Sequence, residues 1–207
     1  MTEQTGISLG WNCGPAGVGL SNGVRASKSD GYRTCPFDEM ITNLPGIIEC
    51  IKDDFKYFTD SEYISLIEAP FTSGGIKGGE RLIYNTKYNF IFNHESPDHA
   101  NLYIKQNWKG GMYHYTDNDY KLFKERYNRR VDAFRYYLNS GNMIVFLIAR
   151  FNDDYTEFRS VLSKIYPSLE YSIFHITPSE NKQMVLKHYK MMNVSDKTID
   201  LEFSERH

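Results

Sequence analysis

The sequence predicts an α/β protein, a three-layer sandwich with a mostly parallel central sheet and helices on both faces. Apolar residues at helical spacing alternate with short apolar runs through the second half of the chain, the order that parallel crossovers produce. Residues 143–149 form a continuous apolar run, which is typical of a strand buried on both faces of a sheet. A shorter run at residues 7–9 supplies a further strand for the same sheet.

Glycine and proline mark the elements of the first half. Gly10 ends the first strand, and Pro15 has the fixed φ that is favoured at the first position of a helix. Apolar side chains then recur at helical spacing after Pro45. These signals predict a helix that opens at Pro15, an exposed loop over 21–34, a helix over about 45–58, a mobile insertion at about 60–80, and a strand pair at 81–84 and 90–92.

The second half contains the patterns that decide the fold class. Its apolar residues sit three or four apart in three stretches, and continuous apolar runs separate these stretches. We therefore predict a long helix from about 120 that ends at 139–141, a strand at 143–149, a helix at 155–166, a strand at 169–176, and a last helix that carries residues 184–189.

The composition limits the partners of the protein. With 207 residues the chain is long enough for one core, so we treat 1–207 as a single α/β domain. A net charge of −2 gives no attraction to nucleic acid or to an anionic membrane, and no apolar run reaches the length of a membrane span. Three cysteines without a close pair argue against a disulfide framework and a zinc finger. We expect a cytoplasmic protein with no cofactor.

The first candidate for chemistry is Cys13, which falls in the turn between the first strand and the helix at Pro15. Unpaired N–H groups and the positive end of the dipole at a helix N-terminus favour an anion, so a thiol at this place ionises more easily. Cys13 is thus a candidate nucleophile, with Asn12 and Gly14 as candidates to hold an oxyanion or the substrate. The alternative is a small residue that simply packs beneath a glycine-rich turn.

A nucleophilic cysteine needs a base and a group that orients the base. His94 is the best base by position, because it follows the apolar strand at 90–92, and His99 is the second choice. Glu95 and His99 are also candidates to contact the substrate. For the orienting group we choose Asp38, with Glu95 or Asp98 as alternatives.

The spacing of His94 and His99 also raises the question of a metal. It departs by one residue from the HExxH pattern, and Pro97 prevents the two histidines from sharing one regular helix. We therefore predict no metal site.

Three short motifs occur in a fixed order: Ile7-Ser8-Leu9-Gly10-x-x-Cys13, Pro36-Phe37-Asp38 and Phe92-x-His94-Glu95. They are followed by Arg129-Arg130-x-x-x-Phe134 and the apolar strand that ends in Arg150. Over about residues 5–177 the chain resembles a family of bacterial, eukaryotic and giant-virus proteins that are described as putative papain-like cysteine peptidases.

The resemblance implies a nucleophile at Cys13 and a base at His94, and it marks Asp38 as a motif residue. It also implies an alternative fold, the α+β papain fold, which pairs a helical lobe with an antiparallel barrel. The chain departs from the family pattern at Glu39, where an aromatic residue is usual, and at Glu95, where aspartate is usual.

These observations together predict a cysteine-dependent hydrolase, peptidase-like, or an acyl transferase that acts on a peptide or a small acyl substrate. One alternative is a transferase that binds a nucleotide or a nucleotide-sugar in the turn from Gly10 to Gly19, although the glycine spacing matches no phosphate-binding motif. Another is a non-catalytic binding module that uses a surface rich in the 16 tyrosines.

Overall fold

Strands and helices alternate along the computed structural model, which describes residues 4–70, 72, 76–99, 108–149 and 154–176. The elements in these ranges are β1 (Gln4–Ser8), α1 (Gly14–Ser21), α2 (Leu44–Lys52), β2 (Ile64–Glu68), β3 (Arg81–Asn85), β4 (Phe90–Phe92), α3 (Asp117–Leu138), β5 (Met143–Ile148), α4 (Thr156–Ile165) and β6 (Tyr171–His175). No helix in these ranges is both long enough and apolar enough to cross a membrane.

Strand β5 is the centre of a parallel sheet with the order β1-β5-β6. Its residue Val145 is in register with Gly6 on one side and with Ser172 on the other. Five of the six residues of β5 are buried, which is why this strand is a continuous apolar run. The predicted parallel strands of the second half are confirmed.

The other three strands form an antiparallel sheet with the order β2-β3-β4. Ile83 on the middle strand is in register with Leu66 and with Phe92. The predicted pairing of 81–84 with 90–92 is confirmed. Residues 64–68, which we expected within an insertion, are instead the edge strand β2, because the paired glycines follow this segment and do not interrupt it.

The fold class is mixed α/β, as predicted, but the described strands divide equally between two sheets. A single, mostly parallel sheet therefore overstates the parallel part. The parallel sheet agrees with the predicted α/β sandwich, and the antiparallel sheet agrees with the papain-like alternative. Neither of these two fold descriptions alone accounts for all the described strands.

The helices follow the predicted positions with two differences at their ends. α2 is shorter than expected, because Asp54 and Phe55 have φ of 47° and 63°, values that end a right-handed helix. In α3 the residues 118–120 have positive φ, so the regular part begins after Tyr120, close to the predicted start. α4 and β6 lie where predicted, and the last predicted helix, with residues 184–189, lies outside the described residues.

Two buried clusters hold these elements together. The larger is rich in aromatic rings and centres on Phe37, whose ring lies 5.8–6.0 Å from four other phenylalanine rings. The second joins the parallel sheet to the antiparallel one and contains Trp11, Ile41, Ile91 and Leu147. Since Trp11 precedes Cys13 by two residues and Ile91 precedes His94 by three, the segments that carry both candidates are anchored in the same cluster.

Candidate functional site

The turn that carries Cys13 is held by hydrogen bonds from outside it. Gly10 and Trp11 both have positive φ, at 81° and 82°. The Gly10 N–H donates to Ser8 Oγ at 3.0 Å, and the Trp11 N–H donates to Thr42 Oγ1 at 2.8 Å. The Thr42 hydroxyl in turn donates to the Leu9 carbonyl at 2.7 Å. The backbone that leads to Cys13 is therefore fixed by side chains from two segments.

Cys13 lies at the N-cap of α1, directly before the first helical residues Gly14 and Pro15. It is partly exposed, whereas Cys35 and Cys50 are buried, and none of the three forms a disulfide. Burial raises the pKa of the Cys35 thiol and the pKa of the Cys50 thiol well above their usual values. Cys13 is therefore the one cysteine of the chain with access to solvent.

The predicted oxyanion donors have a more specific arrangement than the sequence suggests. The Gly14 N–H donates to the Oδ1 atom of Asn12 at 2.6 Å, so this amide already has an acceptor. Asn12 itself is 6% exposed. Because its Oδ1 atom accepts this hydrogen bond, the Nδ2 group is the hydrogen-bond donor of the Asn12 side chain.

Close packing explains two of the glycines in the segment from Gly10 to Gly19. A Cβ atom on Gly10 would lie 2.7 Å from Thr42 Oγ1 and 2.8 Å from the Phe37 carbonyl oxygen, and one on Gly19 would lie 2.2 Å from Leu147 Cδ1. The amides of Gly10, Trp11 and Gly14 all donate to side chains of this protein. These contacts account for Gly10 and Gly19, and the three hydrogen bonds occupy donors that a phosphate cradle needs.

His94 lies in a short 3-10 turn, Asn93–Glu95, that follows β4. Its side chain is partly exposed, and its ring centroid lies 5.9 Å from that of His99. Burial lowers the pKa of His94, while the negative charges of Glu95 and Glu39 act in the opposite direction. The net pKa is below the usual value, so the imidazole is mostly neutral at pH 7 and can accept a proton.

His99 has a carboxylate partner that sequence reasoning did not single out. Its Nδ1 atom lies 3.1 Å from Glu80 Oε2, and both side chains are largely buried. On the other side, its Nε2 atom lies 3.5 Å from Asn93 Nδ2. The imidazole of His99 is thus oriented by Glu80, at a sequence separation that no short motif can show.

Glu95 binds the face of α3 that lies against the 3-10 turn. It is 1% exposed and accepts hydrogen bonds from Arg126 Nε and from the Tyr127 hydroxyl, both at 2.8 Å. Glu39 accepts a hydrogen bond from Arg130 Nη2 and forms a 3.5 Å ion pair with Arg126. Two carboxylates on separate segments therefore share two arginines.

Asp38 and Asp98, the other acids we considered, are each held by an arginine. Asp38 is fully buried and accepts hydrogen bonds from Arg25 Nη2 at 3.0 Å and from the Cys35 N–H at 2.8 Å. Asp98 binds Arg81 through both carboxylate oxygens at 2.9 Å. The acids whose charges act most strongly on His94 are Glu95 and Glu39.

Within the described ranges, no group of three histidine, cysteine or acidic side chains is placed so that it could hold a metal ion.

The fold and the site define a mixed α/β protein with one accessible cysteine at the N-terminus of a helix. The segment that leads to this cysteine and the segment that leads to His94 both pack in the second buried cluster, through Trp11 and Ile91. A family model described as "Putative papain-like cysteine peptidase (DUF1796)" matches residues 4–178. The chain belongs to this family, which confirms the resemblance seen in the motifs. Searches of curated proteins and of solved structures found no match.

Proposed function

We propose that the protein is a cysteine-dependent hydrolase or acyl transferase in which Cys13 is the nucleophile. The observation that carries this proposal is the position of Cys13, which is the accessible cysteine and stands at the N-terminus of α1, in the turn that follows the parallel strand β1. Open α/β sheets bind their ligands beyond the carboxyl ends of such strands. The substrate class we propose is a peptide or a small acyl compound, and the free thiols support a cytoplasmic location.

The proposed base is His94. In the first step the neutral imidazole takes the proton of Cys13, the thiolate attacks the acyl carbon, and the amine or alcohol leaves with the proton that His94 held. Water or a second acceptor then attacks the acyl-enzyme and releases Cys13. The Nδ2 group of Asn12 is the proposed donor to the oxyanion, since the Gly14 amide is engaged with Asn12 Oδ1.

For the third group the electrostatic effect on His94 favours Glu95 over Asp38. The charge of Glu95 raises the pKa of His94, against the lowering by burial, and so stabilises the imidazolium that forms during the reaction. Asp38 directs its carboxylate to Arg25, Tyr32 and the Cys35 amide. We therefore assign Asp38 a role in the fold and Glu95 the electrostatic role.

The pH dependence of alkylation by iodoacetamide tests the pairing. In the unchanged protein Cys13 should react below the pH range of a free thiol. In the His94→Asn variant, alkylation of Cys13 at pH 7 should slow by about tenfold, because the thiol then titrates near its ordinary pKa of about 8.5. At pH 9.5 the two rates should agree, since both proteins then carry the thiolate. Peptide mapping identifies the labelled cysteine, and Cys13→Ser should abolish the fast labelling.

The His99→Asn variant is the matched control for His94→Asn. His99 is bound to Glu80 and lies beside His94, so its loss perturbs the same region without removing the proposed base. Equal pH profiles in the unchanged protein and in His94→Asn would refute His94 as the base. A shift that occurs only in His99→Asn would transfer that role to the Glu80–His99 pair.

A further inference from the structure

A basic cleft lies between the loop at 28–34 and one face of α3. Its volume is about 450 Å³, within the range of small-molecule sites. Its cationic lining residues are Lys28, Arg33, Arg126, Arg129 and Arg130, and Thr34, Asp132 and Ala133 complete the lining. This concentration of positive charge contrasts with the net charge of −2 of the whole chain.

The carboxylates in and against the basic cleft do not neutralise it. Asp132, Glu39 and Glu95 are three acids against five cations, which leaves an excess of two positive charges. Among the described residues, Arg33 and Arg129 form no ion pair, and both are exposed. These two guanidinium groups are the ones available to a ligand.

Aromatic rings and acids hold several of the guanidinium groups in place before any ligand binds. Arg33 lies over the ring of Tyr136, with its Cζ atom 4.5 Å from the ring centroid. Arg130 lies 4.8 Å from the centroid of Tyr127, and its side chain is only 6% exposed. A guanidinium that is already oriented loses less freedom when it binds an anion.

From this arrangement we propose that the basic cleft binds a phosphate group, either as inorganic phosphate or as the monoester of a small molecule. A phosphate monoester carries close to two negative charges at neutral pH and three strong acceptor oxygens, which matches the excess of two cations. Planar guanidinium groups bind such oxygens in pairs. The inference goes beyond the proposed chemistry at Cys13, because it concerns ligand binding in the basic cleft on α3 and requires no reaction.

Isothermal titration calorimetry with inorganic phosphate and with phenyl phosphate tests the proposal. A titration with sodium chloride at the same ionic strength is the reference for each. The unchanged protein should bind phosphate saturably, and the Arg33→Gln/Arg129→Gln double variant should bind at least about tenfold more weakly, because each arginine supplies charge-assisted hydrogen bonds. The matched control is Lys121→Gln/Lys164→Gln, which removes two exposed cations outside the cleft. This control should bind as the unchanged protein does.

Two further comparisons separate the outcomes. Binding of inorganic phosphate alone assigns the cleft to the free ion, whereas tighter binding of phenyl phosphate assigns it to a monoester. Cys13→Ala should bind normally, so that failure at Cys13 and failure at the cleft remain distinguishable. The proposal is overturned if phosphate does not bind saturably, or if the arginine double variant binds it as tightly as the unchanged protein. It is also overturned if the lysine control loses as much phosphate affinity as the arginine variant, or if only Cys13→Ala loses phosphate affinity.

Discussion

The carboxylate of Asp38 is fully buried. Burial raises the pKa of this carboxyl, and the hydrogen bonds and charge of Arg25 and the amide of Cys35 act against that rise. Tyr32 adds its hydroxyl at 3.1 Å and also stacks beneath Arg25, whose Cζ atom lies 4.1 Å from the ring centroid. The ion pair between Asp38 and Arg25 thus joins the two ends of the loop between residues 25 and 38.

The Asp38→Asn substitution should separate a role in the fold from a role in the chemistry. Arg25, whose side chain is 9% exposed, would lose its charged partner, so we expect the free energy of unfolding to fall by about 2 kcal/mol. The pH profile of Cys13 alkylation should stay unchanged in the folded variant. Urea unfolding and alkylation rates measure the two effects.

Glu95→Gln is the companion variant for Asp38→Asn. Because the charge of Glu95 raises the pKa of His94, its removal should lower that pKa further and move the Cys13 alkylation profile to higher pH. If Asp38→Asn moves the profile and Glu95→Gln does not, the orienting role belongs to Asp38 after all.

At the scale of elements, the turn before α1 depends on Thr42, a residue thirty-one positions away from Trp11. One hydroxyl accepts from the Trp11 amide and donates to the Leu9 carbonyl. The neighbouring residue Ile41 pairs with Ile91 of β4 as an isolated antiparallel bridge. The residues 41–42 therefore connect the Cys13 turn to the strand that precedes His94.

The Thr42→Val substitution keeps the shape of the side chain and removes both hydrogen bonds. Since the Trp11 amide and the Leu9 carbonyl are buried, we expect the free energy of unfolding to fall by about 1–3 kcal/mol. Alkylation of Cys13 should also lose its enhancement at pH 7. Thr86→Val is the control, because Thr86 is exposed and its hydroxyl makes a single long bond of 3.3 Å. Equal losses of stability in the two variants would contradict the assigned role of Thr42.

The sequence could predict those elements that are formed by interactions between residues close together in the chain. Strand β5 and helix α4 were predictable, because an apolar run and an apolar stripe are local patterns. The division of the strands into two sheets was not, since pairing joins residues far apart, as with Gly6 and Val145. The same holds for the site: Cys13 follows from a local turn, whereas the Glu80–His99 pair and the contacts of Glu39 exist only after folding.

For the whole molecule, the ion pairs around Glu39 tie together segments that are distant along the chain. Glu39 binds Lys28 from the first loop and Arg130 from α3, and Arg126 links it to Glu95 after β4. Because Glu39 and Glu95 bind the same two arginines, these ion pairs form one interaction that joins α3 to the rest of the site.

Acid should release this interaction and weaken the whole fold. Burial would raise the pKa of Glu39, but Arg130, Lys28 and Arg126 outweigh it and lower that pKa from 4.5 to about 2. A carboxyl with a lowered pKa in the folded state stabilises that state above its unfolded pKa, and this contribution is lost as the pH falls from about 5 to about 2.

Glu39→Gln should therefore cost up to about 3 kcal/mol of unfolding free energy at pH 7 and almost nothing near pH 2. Urea unfolding across this pH range measures the difference, and Glu125→Gln, an exposed acid of α3, should show no such trend. A cost of Glu39→Gln that stays constant from pH 7 to pH 2 would mean that hydrogen bonding, rather than charge, holds α3 against the site.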